Sequence, residues 1–221
     1  MAAIFELWLL DVQESTQRIA AFWHVFLCCS SQIFTPSKYS MKIPDRNPAF
    51  RDRDWCLVVL NGPSGELVPD LPVETFGCNG NFLNRRLDHV IALDLKRVQF
   101  ARQYRRWVWT KPQFCKRGDV PVPDLYQIFN DSGNAAIWAA HHYYNDIVIT
   151  GADSWMGGET RTVCDALYEV NPKKSKLPPI WRRKFLEWSG QTQNRYTFIW
   201  QQPQKDLETI TLAQFSNKYV L

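Results

Sequence analysis

Glycine and proline are scarce in this chain, together 23 of 221 residues. That excludes a collagen-like or low-complexity disordered polypeptide. The six cysteines, at positions 28, 29, 56, 78, 115 and 164, contain no Cys-x-x-Cys pair. Without such a chelating turn a zinc site is not expected, and the cysteines read as reduced thiols of a cytoplasmic protein. Long apolar runs are missing too. The longest, residues 19–29, is broken by His24 and is shorter than a bilayer span. Glu6, Asp11 and Glu14 stand where the positive end of a secretory leader belongs, so neither a leader nor a transmembrane segment is expected. Charge is not strongly of one sign: the formal net charge is +4, which permits an anionic ligand without demanding nucleic acid. Arg102, Lys111 and Lys116 belong to the most basic stretch, where Trp107, Trp109 and Phe114 are interleaved. No helix-turn-helix, RNP or zinc-finger pattern accompanies it, so nucleic acid is not the expected partner.

What the chain does have is aromatic bulk, with 10 Trp, 13 Phe and 8 Tyr, enough to build a substantial core. Residues 1–40 form an aromatic N-terminal extension with two apolar clusters and no clean helical stripe, a surface that suits a protein partner. Residues 41–54, punctuated by Pro44 and Pro48, read as a linker. From residue 55 to 221 the pattern becomes regular. Short, continuously apolar runs at 56–60, 75–79, 89–93, 107–110, 146–150 and 196–200 read as strands, with a further one at 126–129. Helices are expected at 134–144, 162–170 and 181–188. Strands spaced by helix-length intervals predict an α/β fold, a Rossmann-like, mostly parallel sheet with helices on both faces.

In such a sheet, ligands bind beyond the carboxyl ends of the strands, where the strand order reverses. Short polar and small residues gather at those ends. The first strand runs into Asn61-Gly62-Pro63-Ser64, the second ends at Cys78-Asn79 and the third at Asp94. Asp131-Ser132-Gly133 opens an Ala-rich helix, and the strand at 146–150 ends in Gly151-Ala152-Asp153. Gly62 permits close backbone approach, and a serine where a helix begins offers a hydroxyl beside unpaired N–H groups. Taken singly, each is also an ordinary turn or helix cap.

Taken in order, this set resembles the bacterial family 42 sialyltransferases and the related motility-accessory glycosyltransferase-like proteins. The resemblance covers roughly residues 55–153. It implies a Rossmann-like domain that binds a CMP-activated sugar as substrate, without a metal or other cofactor, and transfers the sugar to a glycan or other hydroxyl acceptor. It implies that Asn61, Gly62, Ser64, Asn79, Ser132 and Gly133 hold the nucleotide, with Ser64 and Ser132 on one rim facing a common pocket. Two departures bear on activity. Leu60 stands where the family pattern has its first glycine. The family's histidine base lies downstream of the Gly-x-Asp, whereas His24, His89, His141 and His142 all precede Asp153. Asp94 and Asp153 therefore remain as catalytic candidates, since a sugar hydroxyl needs only a positioned acceptor for its proton. The alternative is a catalytically inactive nucleotide-binding or assembly protein that keeps the fold. No Asp-x-Asp pair follows a strand; Asp52 and Asp54 have that spacing but precede the first one.

Overall fold

The computed structural model describes residues 45–104, 108–122, 131–157 and 180–220. The 1–40 extension, the strand expected at 126–129 and the helix expected at 162–170 lie outside them. The strands are β1 (Trp55–Val59), β2 (Thr75–Cys78), β3 (His89–Ile91), β4 (Trp109–Thr110), β5 (Val120–Pro121), β6 (Asp146–Thr150), β7 (Arg195–Ile199) and β8 (Glu208–Ile210). The helices are α1 (Leu95–Tyr104), α2 (Ser132–His141), α3 (Ile180–Ser189) and the short α4 (Leu212–Phe215).

The eight strands form one sheet in the order β5-β4-β3-β2-β1-β6-β7-β8, and every neighbouring pair is parallel. This is the α/β, Rossmann-like architecture that the apolar runs predict. The chain winds outward from β1 through β2 to β5, then returns to the far side of β1 as β6, so the order reverses between β1 and β6. Crossovers that keep one hand must change face when they change direction. Accordingly α1 packs on one face through Val98 and Ala101, while α2 and α3 cover the other through Ala135, Ala139, Phe185 and Trp188. A strand sandwiched this way must be apolar on both sides. β1 is: Cys56 and Val58 point into one layer, Leu57 and Val59 into the other, all at most 2% exposed. Cys56 and Cys78 act as small buried hydrophobes, and burial pushes the Cys56 thiol well up. No helix among the described residues is long and apolar enough to cross a membrane.

Of the segment read as a linker, residues 45–54 pack onto the amino rim of the sheet. Phe50 is buried, and the Arg46 guanidinium lies 4.1 Å above the Tyr144 ring. Next to it, a fully buried carboxylate organises this rim. Glu74 Oε1 lies 2.6 Å from His89 Nε2, and Oε2 accepts from the Tyr144 hydroxyl at 2.6 Å. Trp109 Nε1–H donates to His89 Nδ1 at 3.2 Å, which leaves the imidazole proton on Nε2, facing Glu74. Glu74 thereby joins the starts of β2, β3 and β4 to the turn before β6. Burial raises its pKa, but the hydrogen bonds from His89, Tyr144 and the Asn47 N–H outweigh burial, and the net shift is downward.

The fold therefore favours the ionised form of Glu74. Its contribution is complete above the usual carboxylate range and is lost as pH falls through and below it. Removing the carboxylate leaves buried His89 and Tyr144 donors unpaired. Glu74→Ala should cost about 3–5 kcal/mol in denaturant unfolding at neutral pH, and a smaller deficit should remain at pH 3 than at pH 7.

Candidate functional site

At the reversal point, the turn after β1 and the turn after β6 are bonded to each other. Leu60 N–H donates to Thr150 O and Gly62 N–H to Gly151 O, each at 2.8 Å. Ser64 N–H donates to both Asp153 carboxylate oxygens, at 3.1 and 3.2 Å, and the Ser64 hydroxyl donates to Oδ2 at 2.7 Å. That hydroxyl also accepts from Gly151 N–H at 3.1 Å, and Thr150 Oγ1 donates to Ser64 O at 3.2 Å. Asp153 is 6% exposed. The glycines follow from this closeness. A Cβ on Gly62 would sit 2.1 Å from Asp153 Oδ2, and Gly151 has φ +75 with Leu60 O 2.4 Å from where its Cβ would be.

A second cluster stands on the same rim, on the α2 face. Asn79, just after β2, has φ 55 and is the non-glycine residue with positive φ among those described. Its Oδ1 accepts from the Ser132 hydroxyl at 3.3 Å. Asp131 caps α2: its Oδ1 accepts from Asn134 N–H and its Oδ2 from Asn134 Nδ2, both at 2.7 Å. Burial raises the Asp131 carboxyl, against these hydrogen bonds and one from Gly133 N–H. Asn134 continues to α3, donating to Trp181 O and accepting from Trp188 Nε1. Gly133 leaves room for Leu60, whose Cδ2 would lie 3.4 Å from a Cβ there.

The structure thus gathers Gly62, Ser64 and Asp153 in one cluster, and Asn79, Ser132 and Gly133 in another, with Leu60 between them. Asn61 is half-buried in the first turn, and Asp94 is exposed ahead of α1. Ser64 and Ser132 share the carboxyl rim. Asp52 and Asp54 are exposed ahead of β1, at the opposite rim. Among the described residues no group of three or more His, Cys, Asp or Glu side chains is placed to hold a metal.

The rim also holds a cavity of about 310 Å³ that sequence reasoning missed, on the side of the first turn where Val59 and Val68 pack. Its lining includes Gly62 and Gly65 but neither Ser64 nor Ser132, so the two serines share the rim without facing this cavity together. Asn81 and Arg85, which line it, gave no sequence signal because an Asn in a turn and an Arg beside another Arg read as solvated surface. Comparison of the chain with models of known protein families, with curated proteins and with solved structures found no match.

If the interlocked turns hold the reversal point together, Gly62→Ala should cost about 3 kcal/mol by steric conflict with Asp153. Asp153→Ala should cost about 2–4 kcal/mol, since it strips the Ser64 N–H and hydroxyl of their charged acceptor. Urea unfolding of the two variants measures both.

Proposed function

We propose that the chain binds a nucleotide-activated sugar, a CMP-sugar in preference, at the carboxyl rim, and transfers the sugar to a glycan or other hydroxyl acceptor without a metal. The observation that carries this reading is Asn79. A left-handed asparagine carries a modest backbone cost, and residues held in this conformation concentrate at turns and binding sites. It meets Ser132 from the other half of the winding, the pairing that the family 42 resemblance assigns to the nucleotide. Asn61, Gly62 and Ser64 on the first turn and Gly133 beside Ser132 complete the proposed contact set, and Asp94 or Asp153 would take the acceptor's proton. A cytoplasmic setting belongs to this reading, since the reduced Cys56 and Cys78 and a nucleotide-sugar supply occur together there.

A second reading, a nucleotide-binding or assembly protein without chemistry, is favoured by a specific observation. The Ser64 amide and the first turn of α2, which would meet a phosphate, already serve the protein's own carboxylates Asp153 and Asp131. No described histidine offers a base there. His89 is at the amino rim, and His141 and His142 are at the far end of a ten-residue helix, about 14 Å along its axis from Ser132.

Calorimetry with CMP, UDP and their sugars, with and without EDTA, tests the proposal. CMP binding should survive EDTA and weaken about tenfold in Ser132→Ala, the loss of one hydrogen bond to a charged group. Asn79→Gly should hold or raise the melting temperature while weakening CMP binding. Acceptor-dependent release of CMP from a CMP-sugar would establish transfer, and binding without turnover would establish the second reading. Absence of any nucleotide binding would overturn the proposal and the nucleotide-binding form of the second reading, leaving the assembly protein.

A further inference from the structure

The cavity has its own chemistry. Its apolar lining comes from the Val59 and Val68 side chains. Asn81, also in the lining, donates its Nδ2 to Val59 O and Leu60 O at 3.0 and 2.9 Å. The mouth carries the exposed Glu66, Asp70 and Asn84, with Asn84 Nδ2 donating to Glu66 Oε1 at 3.4 Å. Arg85 forms one wall, its side chain only 9% exposed. Nη1 donates to Gly65 O, and Nη2 to Val68 O, Pro69 O and the Asp70 carboxylate, all within 3.0–3.3 Å. The buried Arg85 Nε has no hydrogen-bond partner among the described residues.

These features select a ligand. The Arg85 terminal nitrogens already donate to three carbonyls and to Asp70, whose carboxylate offsets the guanidinium charge. The remaining formal charge of the lining is negative, two carboxylates against one guanidinium. An anion entering here would meet Glu66 and Asp70, whereas hydroxyl groups would donate to them. The apolar lining accepts the C–H face of a ring. The volume lies at the lower end of small-molecule sites, about 300–1,000 Å³. We infer that this cavity binds an uncharged, hydroxyl-bearing ring, the chemistry shared by a pyranoside and a nucleoside, with its hydroxyls on Glu66 and Asp70 and its apolar face on Val59 and Val68. Gly62 belongs both to this cavity and to the proposed nucleotide set, but Asn61, Ser64, Asn79, Ser132 and Gly133 do not line the cavity, so binding at the two places can be told apart.

The test is ¹H–¹⁵N NMR titration of the full chain with methyl glucopyranoside and cytidine, each beside its phosphorylated counterpart, glucose 6-phosphate and CMP. One or both uncharged rings should shift the Gly65 amide and the side-chain amides of Asn81 and Asn84. The matching phosphorylated compound should bind these groups at least about tenfold more weakly, the like-charge penalty of one close carboxylate. In Glu66→Gln/Asp70→Asn, both surface changes, the uncharged ring should weaken and the discrimination against phosphate should disappear. Whichever of the pyranoside and nucleoside arms responds identifies the source. Failure of both uncharged rings to shift these groups overturns the inference. So does a phosphorylated ring that binds there as tightly as its parent. CMP shifts at Asn79, Ser132 and Gly133, with cytidine and the pyranoside both leaving the cavity groups unmoved, would support the nucleotide reading while overturning this one.

Discussion

One contact decides how the rest of the carboxyl rim is arranged: the Asp153 carboxylate seated on the amide and hydroxyl of Ser64. In a doubly wound sheet the two central turns normally diverge and leave a crevice for a ligand. Here they converge. Leu60, Gly62 and Ser64 on one side hydrogen-bond to Thr150, Gly151 and Asp153 on the other. Only glycine at 62 and 151 tolerates that approach, since a Cβ at either would fall within 3 Å of the opposing turn. The negative charge that a phosphate would bring to the first turn is already supplied from within the chain.

Closing the crevice displaces open space to either side of it. On the α2 face, Leu60 fills the gap over Gly133, and the polar pair Asn79–Ser132 remains at the rim. On the other face, Arg85 donates to the backbone of the β1–β2 connection at Gly65, Val68 and Pro69, and it lines the cavity together with Gly65 and Val68. The opposite rim needs no such openness. There Glu74, His89, Trp109 and Tyr144 are buried with their hydrogen bonds mutually satisfied, which fixes the starts of the central strands. The amino rim is tied together by this buried cluster, and the carboxyl rim carries the left-handed Asn79 and the cavity.

Much of the fold was legible in the sequence because a strand buried on both faces cannot hide. The apolar runs at β1, β2, β3, β6 and β7 are the signature of parallel sheets. β8 was missed: Glu208, Thr209 and Ile210 are half-exposed or exposed and too few to show a pattern. β5 is only Val120 and Pro121, below any periodicity. α1 was hard to see because it buries little besides Val98 and Ala101 in a largely polar sequence. The rim residues were legible by type, since Gly62, Ser64, Asn79 and Ser132 have turn and cap chemistry. Their partners were not. Ser64 and Asp153 are 89 positions apart, and only the return of the chain to β6 brings them together. The cavity was illegible for a similar reason, because it depends on Arg85 folding its charged end into backbone carbonyls rather than into water.

Native-state hydrogen exchange at the Gly62, Ser64 and Gly151 amides reports whether the crevice is closed. If the two turns are locked through Asp153, these amides should exchange only with global unfolding, with protection matching that of Val58 in β1. Exchange of Ser64 and Gly62 at the rate of an exposed loop, while Val58 stays protected, would contradict it: the turns would then part in solution and the crevice would be open.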